Sequence, residues 1–93
     1  MAEVRFSGEV RAGHKQAAVE ATFDPRVEWG TEPVSLEAGR NGYRVRGMLG
    51  VAPFRGVIVS RSNRWWLVIE ETDLREAAIA VGDTVTVTVE LDA

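Results

Sequence analysis

Six arginines and no acid lie between Gly39 and Arg64, and two tryptophans, Trp65 and Trp66, follow at once. Guanidinium groups interleaved with an indole are equipment for holding anions: carboxylates and phosphates accept paired N–H donors, and a ring or base stacks on the aromatic. The flanks carry the opposite charge. Met1 to Ala38 holds seven acids against four bases, and Trp65 to Ala93 holds seven acids against Arg75 alone. The plainer use of the basic stretch is therefore cross-strand pairing with acidic neighbours, at about 0.2–1 kcal/mol a pair. The candidate ligand- or partner-binding residues are Arg44, Arg46, Arg55, Arg64, Trp66 and Arg75. Arg75 qualifies as the single base of an acidic third, and pairing with Glu71 is its plainer role.

Catalytic chemistry is sparse. His14 is the one histidine, set between Gly13 and Lys15 in a predicted turn, and local spacing places no carboxylate beside it. It reads as a solvated turn residue rather than a base or ligand. A zinc site needs several His, Cys or carboxylate ligands, and there is no cysteine, so neither a metal nor a cofactor is expected. No Ser-His-Asp arrangement and no Gly-rich phosphate loop can be recognised. The carboxylate pairs Glu70-Glu71 and Asp73-Glu76 are explained by capping and solvation, and Asp83 by a bond to the turn backbone.

The elements that must position these residues are read from periodicity. The clearest stretch is Asp73 to Leu91. Leu74, Ala77, Ala78 and Val81 recur at helical spacing behind an Asp73/Glu76 capping box, and Gly82 can end the helix. From Thr84 the period becomes two, with Val85, Val87, Val89 and Leu91 on one face and threonines and Glu90 on the other. Earlier, Val4, Phe6, Gly8 and Val10 alternate with polar residues, and Ala17 to Phe23 reads as a second strand joined by a hairpin. Asp24-Pro25 ends it.

Arg26 to Gly42 is weakly patterned, with a short edge strand at Val34-Ser35-Leu36 and a tight turn at Asn41-Gly42. Tyr43 to Leu49 alternates with Tyr43, Val45 and Leu49 inward. Phe54 to Ser60 follows, its Gly56 marking a bulge or close backbone approach. Trp65 to Glu70 carries aliphatics on both faces, as a covered strand does, so Trp65 and Trp66 point to opposite sides. Trp29, with Tyr43 and Phe54, suits core packing or a pocket mouth. The expected fold is mainly β: a small closed or partly open barrel of about six to seven short strands, with one short helix at about 73–81 before the last strand.

Size and charge bound the rest. The 93 residues make one domain, 1–93, with a single core. The net charge of −3 argues against bulk attraction to nucleic acid or anionic lipid. No apolar run is long enough for a membrane helix, no secretory signal opens the chain, and cysteine is absent, so a cytoplasmic location is the expectation.

Two pieces resemble a known family. Val45-Arg46-Gly47-Met48-Leu49-Gly50-Val51-Ala52-Pro53-Phe54-Arg55-Gly56, then Leu74-Arg75 and Gly82-Asp83-Thr84-Val85-Thr86-Val87, resemble the bacterial family catalogued as domain of unknown function 1905. Phe6-Ser7-Gly8-Glu9-Val10, Asp24-Pro25 and a last aspartate at Asp92 are compatible with it. The resemblance covers nearly the whole chain, and is weakest over 26–42. It implies a compact β-barrel with one short helix and no established activity. Ile69-Glu70-Glu71-Thr72-Asp73 departs from it, being acidic where the family has a basic residue before the Leu-Arg pair.

Three classes of function are carried forward. The first is a non-catalytic binding or interaction module with a protein or small-molecule partner, as a monomer or homodimer. The second is a nucleic-acid-binding barrel similar to AbrB-type factors, using the Arg40–Arg64 stretch with Trp66 stacking a base. The third is a small enzyme using carboxylates and Arg75.

Overall fold

The computed structural model describes residues 3–13 and 15–92. The strands are β1 (Val4–Glu9), β2 (Arg11–Ala12), β3 (Ala17–Ala21), β4 (Val34–Ser35), β5 (Asn41–Leu49), β6 (Ala52–Arg61), β7 (Arg64–Ile69) and β8 (Thr84–Leu91). Two short helices, α1 (Pro25–Trp29) and α2 (Glu71–Glu76), and a 3-10 turn at Glu37–Gly39 complete the described residues. All strands join one antiparallel sheet in the order β1-β8-β5-β6-β7-β3-β2, with β4 added to β5.

β1 and β2 stand at opposite ends of that order, yet only Val10 separates them along the chain. The sheet must therefore curl until its two edges meet at Val10. This residue still belongs to the β8 side: its N–H donates to the Asp83 carbonyl at 2.8 Å, and its own carbonyl accepts from Gly82 at 2.8 Å. The next two residues cross to β3. The outcome is a partly open barrel, mainly β, as the alternation predicts. Eight strands replace six or seven because β2 and β4 are two-residue pieces.

The inward face of every long strand is apolar. Phe6, Val19, Val45, Leu49, Ile58, Leu67, Ile69, Val85, Val87 and Val89 are buried together. Burying each such side chain contributes about 1.5–3 kcal/mol. A run of rings, Phe6–Phe23–Trp29–Tyr43–Trp65, with successive centroids 5.4–5.9 Å apart, ties α1 and the segment before it to β1, β5 and β7. The Tyr43 hydroxyl donates to the Thr31 carbonyl at 2.6 Å, and burial pushes its pKa up. Trp29, Tyr43 and Phe54 are thus core residues.

Several local expectations need correction. Asp24-Pro25 not only ends a strand but starts α1: the Asp24 carboxylate accepts from the Arg26 N–H at 2.9 Å, and Pro25 fills the first turn, where no N–H is needed. The second helix runs over Glu71–Glu76 rather than 73–81. Its N-cap is Glu70, which makes no side-chain cap bond, so the Asp73/Glu76 capping box does not form. Ala78 turns the chain with φ 57°, and Ile79 donates to the Leu74 carbonyl at 2.9 Å. That reversal packs Ile79 against the core and leaves Val81 exposed, which the helical spacing had placed the other way. The Asp83 carboxylate accepts from the Ala80 N–H at 2.9 Å, the expected turn bond.

Asn41-Gly42 is not a turn but the start of β5, paired with Ser35 and Val34. The reversal is made instead by the 3-10 turn ending at Gly39, whose φ of 69° suits glycine. The expected hairpin of the first two strands forms only between β2 and β3, because β1 pairs with β8. Gly56 sits in register opposite Val45 without a bulge, and its role is close approach: a Cβ there would lie 2.9 Å from the Val68 carbonyl oxygen. His14 lies outside the described residues. No helix among the described residues is long and apolar enough to cross a membrane.

Candidate functional site

Strand register decides where each basic residue ends up. Arg46 stands opposite Glu90 on β8, and its Nε donates to Glu90 at 3.0 Å while Nη1 reaches Asp92 at 3.3 Å. The hydrogen bond that Arg46 donates to Glu90 is the main cause of its raised pKa. Arg55 approaches the other Asp92 oxygen at 3.7 Å. Arg44 holds Glu37 at 3.4 Å, and Arg64 holds Glu20 at 3.3 Å. Four of the six candidate residues are therefore carboxylate partners on the open surface. Arg75 is exposed on α2 and makes no ion pair among the described residues.

Trp66 leads elsewhere. Leu67 and Ile69 of β7 enter the barrel core, and Trp66 and Val68 take the opposite, outer face. Across the ladder, Trp66 lies between Glu20 and Val59, and Val68 lies between Ala18 and Val57. This outer face of β3-β7-β6 is apolar too, as the both-sided pattern of the strand suggests. Leu36 and Val59 are buried but stand outside the inner core cluster, so the segment after β4 covers part of this second layer.

What the segment leaves uncovered is a groove of about 510 Å³. Its floor is apolar, formed by Ala18, Val59, Trp66 and Val68. Its rim is basic: Arg11 and Lys15 from the β2–β3 hairpin on one side, Arg40 and Arg61 on the other. No Asp or Glu lines it. None of these four bases makes an ion pair among the described residues, although Arg40 is one of the weaker causes of the lowered Glu37 pKa.

The Arg40 Nε is buried and has no hydrogen-bond partner among the described residues. Leaving a buried donor unsatisfied costs about 1–3 kcal/mol, so such a group calls for a reason. A hollow of about 400 Å³ adjoins the groove at Lys15 and Gln16, and there the lining changes sign to Glu70 and Glu71. Nearby, burial first, and then the charges of Glu76 and Glu70, push the Asp73 pKa up.

The family model described as domain of unknown function (DUF1905) matches residues 6–89. The chain belongs to the DUF1905 family. It matches no curated protein. In this DUF1905 chain the motif residues are barrel builders. Gly47 and Met48 stand opposite Phe54 and Pro53 in the β5–β6 ladder, and Val85 and Val87 fill the core from β8. Arg11, Lys15, Arg40 and Arg61 lie outside those motifs.

Arg46 and Arg55 meet at Asp92, but the six candidates do not share one site, and of them only Trp66 lines the groove. Arg40 and Arg61 belong to the stretch that the nucleic-acid reading invokes, though not to the six candidates, and Arg11 and Lys15 lie outside it. Strand parity could have found Arg61, which shares a face with Val57 and Val59. Arg11 and Lys15 required the β2–β3 register, and Arg40 required the fold of the irregular segment.

The remaining chemistry is scattered. Asp83 and Arg75 are both exposed, and neither lines the groove. Among the described residues, no three His, Cys, Asp or Glu side chains gather closely enough to hold a metal ion.

Proposed function

We propose that this DUF1905 chain is a non-catalytic binding module, and that its binding surface is the outer groove beside Trp66. One observation carries the reading: four bases without an acidic partner, one with a buried unsatisfied N–H, border an apolar floor. Cations of the same chain that meet carboxylates by register are neutralised at home. Those around the groove are left for an external anion. An apolar floor under a charged rim suits an organic anion with an apolar body, and a volume of about 510 Å³ lies within the about 300–1,000 Å³ of small-molecule sites.

The alternatives have less support. Of the arginines that the nucleic-acid reading invokes, Arg44, Arg46, Arg55 and Arg64 are each engaged by an acid, and Arg61 borders the groove, which leaves no continuous cationic path. The enzyme reading needs Arg75 and carboxylates in one pocket, and Arg75 stands exposed on α2.

The test is titration with 8-anilinonaphthalene-1-sulfonate, a flat apolar ring system bearing one anion. Saturable fluorescence with one site is expected, lost in Trp66→Ala and weakened in Arg40→Gln, and retained in Arg46→Gln. Equal enhancement in all variants, or none in the wild type, would overturn the reading.

A further inference from the structure

We infer that the groove selects a small organic phosphate bearing a flat ring, of the mononucleotide type, over a monocarboxylate or a nucleic-acid strand. This rests on the groove being the binding site.

Charge matching is the first argument. Arg11, Lys15, Arg40 and Arg61 bring four positive charges to one groove with no acid in its lining. Like charges gathered around one groove repel one another, and a bound anion relieves that repulsion. A monocarboxylate neutralises one of them. A phosphate monoester carries nearly two negative charges at neutral pH and offers three strong acceptor oxygens. The mixture of donors fits as well, since guanidinium forks bind phosphate oxygens in pairs and the lysine ammonium adds a mobile point charge.

Placement is the second argument. In the order β6-β7-β3-β2, Arg61 stands on one side of Trp66 and Val68, and Arg11 on the other. Three interstrand steps of about 4.8 Å separate the outermost strands. Arg61 also lies four residues along β6 from Val57, whose row runs through Val68 and Ala18 to Arg11, so the two side chains reach toward the floor from opposite corners. Arg40 lines the groove with its Nε buried, so its side chain is partly held before any ligand arrives, which lowers the ordering cost of binding. Trp66 and the aliphatics below the rim leave the ring of the ligand an apolar seat.

The ends of the groove argue against a polymer. A single strand needs a cationic path that continues from one phosphate to the next. Here the neighbouring hollow past Lys15 is lined by Glu70 and Glu71, which repel a following phosphate. At the Arg61 side, the adjacent Arg64 is held by Glu20. The groove has room and charge for one nucleotide-sized unit.

The experiment is displacement of the bound anilinonaphthalene sulfonate from the full chain by adenosine 5′-monophosphate, adenosine, benzoate and a twelve-residue oligodeoxyadenylate. The monophosphate is expected to bind at least about tenfold more tightly than adenosine or benzoate, consistent with charge-assisted bonds of more than about 1.4 kcal/mol. Arg40→Gln and Arg61→Gln should each remove most of that advantage, and Arg46→Gln should keep it, with thermal melts confirming that all three are folded. Equal binding of benzoate and the monophosphate, or an oligonucleotide tighter than its nucleotide count allows, would overturn the inference. So would a bound dye that the monophosphate fails to displace, and that result leaves the groove as a binding site. If the dye itself does not bind, the functional reading fails first.

Discussion

The outer surface of the sheet has two halves that treat polar groups in opposite ways. Over β1, β8 and β5 it is a finished solvent face: Ser7 and Thr86 share a hydrogen bond of 3.0 Å, and Arg46 spans Glu90 and Asp92. Over β6, β7, β3 and β2 it is Val59, Trp66, Val68 and Ala18 beneath four bases that make no ion pair among the described residues. Both halves cover the same closed core. Arg46 and Arg40 even come from the same acid-free stretch. The difference is that β8 returns acids beside β5 at matching register, whereas the one acid set beside Trp66, Glu20 on β3, is taken by Arg64 and does not line the groove. A surface left apolar and uncompensated is what the proposed binding role requires.

The largest expected effect sharpens the contrast between core and finished face. Val87 is fully buried on β8, and Thr86 beside it faces outward. Val87→Asp should abolish the cooperative thermal transition, because an unpaired charge would enter the core. Thr86→Asp should cost within about 1 kcal/mol, since it sacrifices only an exposed bond. Similar melts for the two would break the face assignment.

Gly47 comes next. A Cβ there would run into the Thr88 backbone carbonyl, where β5 crosses β8 closely. Gly47→Ala should therefore destabilise by about 1–3 kcal/mol in denaturant unfolding, as overpacking does. A neutral result would show that the two strands can separate without loss.

The two outer halves are then set against each other. Trp66→Ala should leave the melting temperature nearly unchanged and remove ligand binding. Arg46→Gln should lower stability slightly and leave binding intact, because its partners are intramolecular. Reversed outcomes would exchange the roles of the two halves.

The smallest effect concerns pH. Burial raises the Asp73 pKa above 3.8, so the ionised carboxylate is less favoured in the folded chain than in the unfolded one. Its stabilising contribution is present below pH 3.8 and is lost as pH rises through the raised value. Asp73→Asn should thus be slightly more stable than wild type at pH 7 and no more stable near pH 3 in urea titrations. An equal gain at both pH values would point to a cause other than charge.

Much of the barrel was legible because its signals are local. Val85, Val87 and Val89 announce one face of β8, and Tyr43, Val45 and Leu49 do the same for β5. The both-sided apolar pattern of β7 already implied a second layer. The end of α2 was not legible, because the helical spacing of Ala78 and Val81 competes with a tertiary demand to seat Ile79 in the core. Helix α1 was legible in principle: an N-capping Asp24, a first-turn Pro25 and a closing Gly30 are the usual start and stop signals.

The candidate site was the least legible part. A run of arginines is a one-dimensional fact, and which of them meets an acid depends on pairings such as Arg46 with Glu90, forty-four residues apart. Trp66 could be placed on the outer face by parity alone. Its basic surroundings come from Arg11 and Lys15 at one end of the chain and Arg40 and Arg61 in the middle, and only the curled sheet brings them together.

The most direct test of the central claim is a ¹H–¹⁵N nuclear magnetic resonance titration with adenosine 5′-monophosphate, read at the three indole N–H signals and the arginine amides. The account predicts saturable shifts at Trp66, Arg11, Arg40 and Arg61, with Trp29, Trp65, Arg46 and Arg55 still. Shifts confined to Arg46 and Arg55, or none at Trp66 at saturation, would contradict it.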